Sequence, residues 1–130
     1  MNPEVASLWA RARKALFVAE KTLSLDPNTA ASRAYYAAFY AVSARFARDD
    51  WEFVKHTAVK AAVHRDLVNT GLWPAHLGQD YSGLASLRIQ GDYGTEQEVT
   101  AALAAEGIEA ARRILQAISA EDPANFPLSE

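Results

Sequence analysis

Cysteine is absent from this chain. That excludes disulfide scaffolds, cysteine-based zinc sites and thiol catalysis together. Glycine (6) and proline (5) are scarce in 130 residues, so tight β-turns are few. No apolar run approaches the roughly 20 residues that a membrane span requires. The first residues, MNPEVASLWARARKAL, lack the charged start, apolar run and small-residue cleavage site of a signal peptide. A soluble cytoplasmic protein is therefore expected. What the chain has in abundance is alanine, 27 residues of it, together with 50% hydrophobic and 22% charged residues. Long helices are easy to build from that composition, and the length suits one domain.

Excess positive charge is also lacking. The net charge of −3 argues against strong non-specific DNA binding. The distribution is uneven, however. Residues 1–94 carry 11 Lys and Arg against 9 acids, whereas residues 95–130 carry Arg112 and Arg113 against seven acids. A weakly basic body with an acidic last helix can present one basic face to RNA or nucleotide phosphates; an ordinary solvated surface has the same composition.

Periodicity predicts a first helix over 3–24, with Val5, Leu8, Trp9, Ala12, Leu16, Ala19 and Leu23 on one stripe. Arg11, Arg13, Lys14 and Lys21 lie mostly off it. Asp26 or Thr29 caps a second helix over 27–48. That helix is apolar on two sides. Tyr35, Ala38, Phe39, Val42 and Phe46 form one side; Arg33, Tyr36, Ala37, Tyr40, Ser43, Ala44 and Ala47 form the other. Two neighbours or a second subunit must cover it, which makes it the central helix. A third helix is expected over 55–70, with His56, Val59, Val63, Leu67 and Thr70 on its stripe and Gly71 as its stop. Residues 71–83 read as a loop, and a fourth helix runs from Leu77 or Ser82 to Gln90. Thr95 and Glu98 form a capping box for a fifth helix over 96–120. Gly107 inside it points to close packing. Residues 121–130 hold two prolines and are expected to fray. No strand pattern appears. The expected architecture is a single all-α domain over 1–120, an up-and-down bundle of four or five helices.

Several chemistries fail on spacing. No glycine-rich loop joins a strand to a helix, so P-loop and dinucleotide sites are excluded. His56, His64 and His76 are eight and twelve residues apart, not the three or four that place two metal ligands on one helical face. No Glu-x-x-His pair suits a di-iron bundle. No metal or cofactor is expected.

What remains is Arg33 with Tyr36 and Tyr40. Seven residues are almost two turns, so Arg33 and Tyr40 lie within about 20° of each other. The arginine can bind a phosphate bidentately, and the tyrosines offer ring faces and hydroxyls. An aromatic interface in which Arg33 pairs with an acid explains the same pattern. His56 points inward, as a core histidine or as a catalyst. His64, Arg65 and Lys60 lie off the stripe as an outer basic surface. Arg88 and Asp92 read as a pair that locks a turn.

The segment SRAYYAAFYAV (32–42) resembles the second helix of the small prokaryotic HEPN-domain proteins, which commonly reads S-R-A-Y-Y-A-x-F-H. KHTAV (55–59) resembles the start of that family's third helix. LRIQGDYG (87–94) resembles its Arg-x-x-x-Asp-Tyr helix end. The resemblance covers roughly residues 5–118. The resemblance implies a helical bundle that forms a homodimer, with the second-helix motif facing a cleft between subunits. It also implies metal-independent RNase and toxin activity, with a minimal nucleotidyltransferase as antitoxin. In such proteins an Arg and a His separated by four to six residues converge from both subunits. They activate a ribose 2′-hydroxyl and stabilise the phosphorane.

Arg33 matches that motif, but the histidine does not. With six intervening residues its position is Tyr40; with four it is Ala38. Tyrosine, with a pKa of about 10, is a poor base at neutral pH. The leading expectation is a HEPN-like dimer that binds RNA, a nucleotide or a nucleotidyltransferase through Arg33, Tyr36 and Tyr40, with RNase activity weakened or absent. One alternative is an active ribonuclease in which Tyr40 or His56 replaces the histidine beside Arg33. Another is a helical interaction module without a ligand.

Overall fold

Five helices follow one another in the computed structural model, which describes residues 3–53, 55–93 and 98–129; no strand occurs among the described residues. Helix α1 (Pro3–Thr22) begins at the proline suited to a first turn. Its buried stripe is Val5, Trp9, Ala12, Ala15 and Ala19. Helix α2 (Pro27–Arg48) has the bounds its sequence predicts. Asp26 is its cap: the side chain accepts hydrogen bonds from the Asn28 amide at 3.1 Å and the Thr29 hydroxyl at 2.6 Å. Pro27 supplies the fixed φ of the first turn.

Helix α2 is central, with α1, α3, α4 and α5 all packed on it. Its two apolar sides are thus covered within one chain, and the pattern alone no longer calls for a second subunit. Ala12, Ala15 and Ala19 of α1 are buried, as are Ala37, Ala44 and Ala47 of α2. Short side chains of this kind let helix axes approach closely.

Helix α3 (His56–Ala62) continues as a π-helical stretch, Val63–Val68. Val59, Val63 and Leu67 keep the expected inward stripe. Gly71, at φ +83°, takes the left-handed conformation that ends the segment. Helix α4 (Ala75–Tyr93) begins earlier than glycine content suggests, absorbing most of the stretch expected as a loop. Gly78 does not break it because the glycine serves packing. A Cβ there would lie 2.8 Å from Val68 Cγ2 and 3.1 Å from the His64 ring. Asp92 and Tyr93 are helical too, so the Arg88–Asp92 pair lies along α4 and locks no turn.

Helix α5 (Ala101–Glu121) is capped by the Thr100 hydroxyl, which accepts from the Leu103 amide at 3.1 Å. Thr95 of the expected capping box lies outside the described residues. Gly107 does pack closely: a Cβ would meet Leu87 Cδ1 at 3.1 Å. Beyond α5 the chain does not fray as expected. Phe126 is fully buried against Trp9, with ring centroids 5.1 Å apart, and the Trp9 indole donates to the Pro127 carbonyl at 2.6 Å. Buried aromatic area outweighs the two prolines. At the same end, buried Arg45 pairs with Glu121 at 2.7 Å, and the Trp73 indole donates to the other carboxylate oxygen at 2.9 Å. No described helix is long and apolar enough to cross a membrane.

Candidate functional site

One face of α2 gathers the predicted residues. Arg33, Tyr36, Phe39 and Tyr40 are each half-buried on successive turns. The Arg33 guanidinium carbon lies 4.7 Å from the Tyr36 ring centroid, and the Tyr36 and Tyr40 rings are 5.8 Å apart. Arg33 forms no ion pair among the described residues, so the acid that a purely structural role would need is not found there.

Helix α4 contributes a residue that sequence reasoning assigned to local structure. Arg88 lies 5.5 Å from the Tyr35 centroid and 5.6 Å from that of Tyr36. Tyr36 therefore touches two guanidinium groups, one from α2 and one from α4. Arg88 Nε sits 3.4 Å from an Asp92 carboxylate oxygen. The alignment makes that contact an ion pair without a hydrogen bond, and this buried N–H has no hydrogen-bond partner among the described residues. The only signal in the sequence was the Arg-x-x-x-Asp-Tyr block. Its partner on α2 is 52 positions away and invisible to periodicity.

His56, at the start of α3, closes the third side. Its ring stacks on Phe39 with centroids 4.2 Å apart and planes 10° apart, and meets Tyr36 edge-on at 5.8 Å. Its Nδ1 shares a 2.6 Å hydrogen bond with the Tyr35 hydroxyl. Burial, reinforced by the Arg88 charge, holds the imidazole below the ordinary histidine range. Burial also pushes the Tyr35 hydroxyl upward. At neutral pH both groups are uncharged, which leaves a neutral imidazole clamped at one nitrogen. Arg33 and His56 thus both border Tyr36, whereas Tyr40 lies one turn further along, beside Arg11 of α1 at 5.9 Å.

The expected outer surface of Lys60, His64 and Arg65 does not form a free basic patch. Arg65 pairs with Asp66 at 2.7 Å, and half-buried His64 bonds the Ser82 hydroxyl through Nε2 at 2.8 Å. The open basic surface lies instead between α1 and α2, where Arg11, Lys14 and Arg33 line one groove with Tyr40.

The chain is similar in sequence to known proteins. A UPF0332 protein of Thermotoga maritima is 35% identical over 117 residues, covering 88% of this chain and 89% of the relative. The HEPN domain family matches residues 5–121, nearly the whole chain and every helix described above. The chain belongs to the HEPN-domain family.

Proposed function

We propose that this HEPN protein acts in the cytoplasm as a homodimer whose Arg33–Tyr36–Tyr40 face binds RNA or nucleotide phosphate. Its setting is a toxin–antitoxin-type module with a minimal nucleotidyltransferase partner, and its ribonuclease activity is weakened or absent because tyrosine stands at position 40. The observation that carries the binding role is half-buried Tyr36, whose ring centroid lies 4.7 Å from the Arg33 guanidinium and 5.6 Å from that of Arg88. Guanidinium groups grip phosphate oxygens in a bidentate fork, and exposed ring faces stack bases. Among the described residues, Arg33 has no carboxylate to release first.

A second reading, in which cleavage persists, draws support from His56. Its Nδ1 is held by Tyr35 and its ring by Phe39, so Nε2 is the nitrogen left to move a proton. RNA cleavage in chelator that disappears in both Arg33→Ala and His56→Gln would favour this reading.

The binding role is tested by fluorescence anisotropy with a labelled single-stranded oligoribonucleotide. Arg33→Ala is expected to weaken binding about tenfold, the loss of one good phosphate contact. Its helical circular dichroism and oligomeric state should match the wild type. Equal binding by the variant overturns the assignment. Absence of wild-type binding to RNA and to nucleotides returns the protein to a helical interaction module.

A further inference from the structure

The groove between α1 and α2, about 300 Å³, is lined by Arg11, Lys14, Ala15, Val18, Arg33 and Tyr40. Three of these six residues are cations and none is an acid. Their spacing explains the convergence. Arg11 and Lys14 are three apart, so they share a face of α1, and the α1–α2 packing sets that face beside Arg33 and Tyr40 of α2.

Elsewhere the protein neutralises its arginines. Arg45 pairs with Glu121, Arg48 with Asp122, Arg65 with Asp66, Arg88 with Asp92, Arg112 with Glu20 and Glu109, and Arg113 with Asp80. In a chain with 16 acids and 13 bases, carboxylates are not in short supply. Yet Arg11, Lys14 and Arg33 form no ion pair among the described residues. Like charges gathered around one groove repel, and a bound anion relieves that repulsion. The groove is also continuous with the Tyr36 face. Arg33 belongs to both, and Tyr40 lies between the Tyr36 ring at 5.8 Å and the Arg11 guanidinium at 5.9 Å.

We infer that this groove is a second phosphate seat, in which Arg11 and Lys14 hold a phosphate adjacent to the one at Arg33. The inference rests on the binding role given to Arg33 above. It restricts the ligand to one carrying consecutive phosphates, either a strand of phosphodiesters or a nucleoside triphosphate. A nucleoside monophosphate fills only the Arg33 side.

The test compares wild type, Arg11→Gln/Lys14→Gln and Arg33→Ala against three probes: a single-stranded oligouridylate, ATP and AMP. Arg11 and Lys14 are exposed, and circular dichroism checks that the double variant remains folded. The double variant is expected to bind the oligouridylate, ATP or both about tenfold more weakly or worse, with AMP binding unchanged. Loss confined to the oligouridylate identifies the ligand as a strand; loss confined to ATP identifies a triphosphate. For a strand, emptying this one phosphate seat also flattens the slope of log affinity against log salt by about 0.7. Wild-type affinity of the double variant for both probes, with Arg33→Ala impaired, overturns the second seat and leaves the Arg33 site standing. Undiminished binding by Arg33→Ala as well overturns both.

Discussion

The Tyr35 hydroxyl and His56 Nδ1 meet at 2.6 Å, joining α2 to the start of α3 across 21 positions of sequence. The bond fixes an imidazole that Phe39 already stacks, and burial together with the Arg88 charge keeps that ring neutral. Tyr35 itself is buried, so the pair belongs to the core on one side and borders the Tyr36 face on the other.

That pairing makes stability depend on pH in a definite direction. In the unfolded chain His56 titrates near 6.5, and in the native protein it titrates lower. Between those two values the unfolded state binds more protons, so the contribution of His56 is fully present above pH 6.5 and is lost as the pH falls below it. The depressed carboxylates Asp26, Asp66 and Asp122 act in the same direction, but below their ordinary value of 3.8. Thermal melts from about pH 7.5 to about pH 5.5, a range bracketing the histidine pKa, should show Tm falling with acid. His56→Gln should show a shallower fall. Parallel profiles for the two proteins would remove His56 as the cause.

Position 40 offers a gain-of-function test. Tyr40 stands seven residues after Arg33, where the family resemblance implies histidine. Tyr40→His places a base of pKa about 6.5 next to Tyr36 and Arg11. Cleavage of single-stranded RNA in chelator should rise about a hundredfold over wild type, the lower end of what general acid–base catalysis supplies. The gain should vanish in Arg33→Ala/Tyr40→His. An inactive Tyr40→His protein that still binds RNA would show that more than the histidine has been lost.

The C-terminal segment should be structural. Phe126 is fully buried between Trp9 and the Arg48 guanidinium, at 5.1 and 5.5 Å. Phe126→Ala is expected to cost about 3 kcal/mol in urea denaturation, the lower range for a deleted core aromatic. A loss below about 0.5 kcal/mol, typical of a surface substitution, would mean that the segment adds nothing to the core.

Much of the bundle was legible because its helices announce themselves locally. Asp26 and Pro27 mark the start of α2, and the stripe from Val59 to Leu67 repeats at helical spacing. The misreadings share a physical cause: they turn on contacts between distant segments. Gly78 looks like a loop residue until Val68 and His64 are seen pressed against its missing side chain. Phe126 lies in a short tail between Pro123 and Pro127 and looks solvent-facing until Trp9, 117 positions earlier, receives it. The site follows the same rule. Arg33, Tyr36 and Tyr40 share one helix, so their alignment follows from 3.6 residues per turn. Arg88, Arg11 and Lys14 reach that face only through the packing of α4 and α1 on α2, which no single-helix pattern encodes.

The most direct test of the Arg33–Tyr36 face is a two-dimensional NMR titration that follows arginine Nε–Hε resonances as single-stranded RNA is added. The account predicts that Arg33 and Arg88 shift together and saturably, while the ion-paired Arg65 and Arg113, which lie elsewhere, stay in place. Shifts at Arg65 or Arg113 with Arg33 and Arg88 unmoved would contradict it.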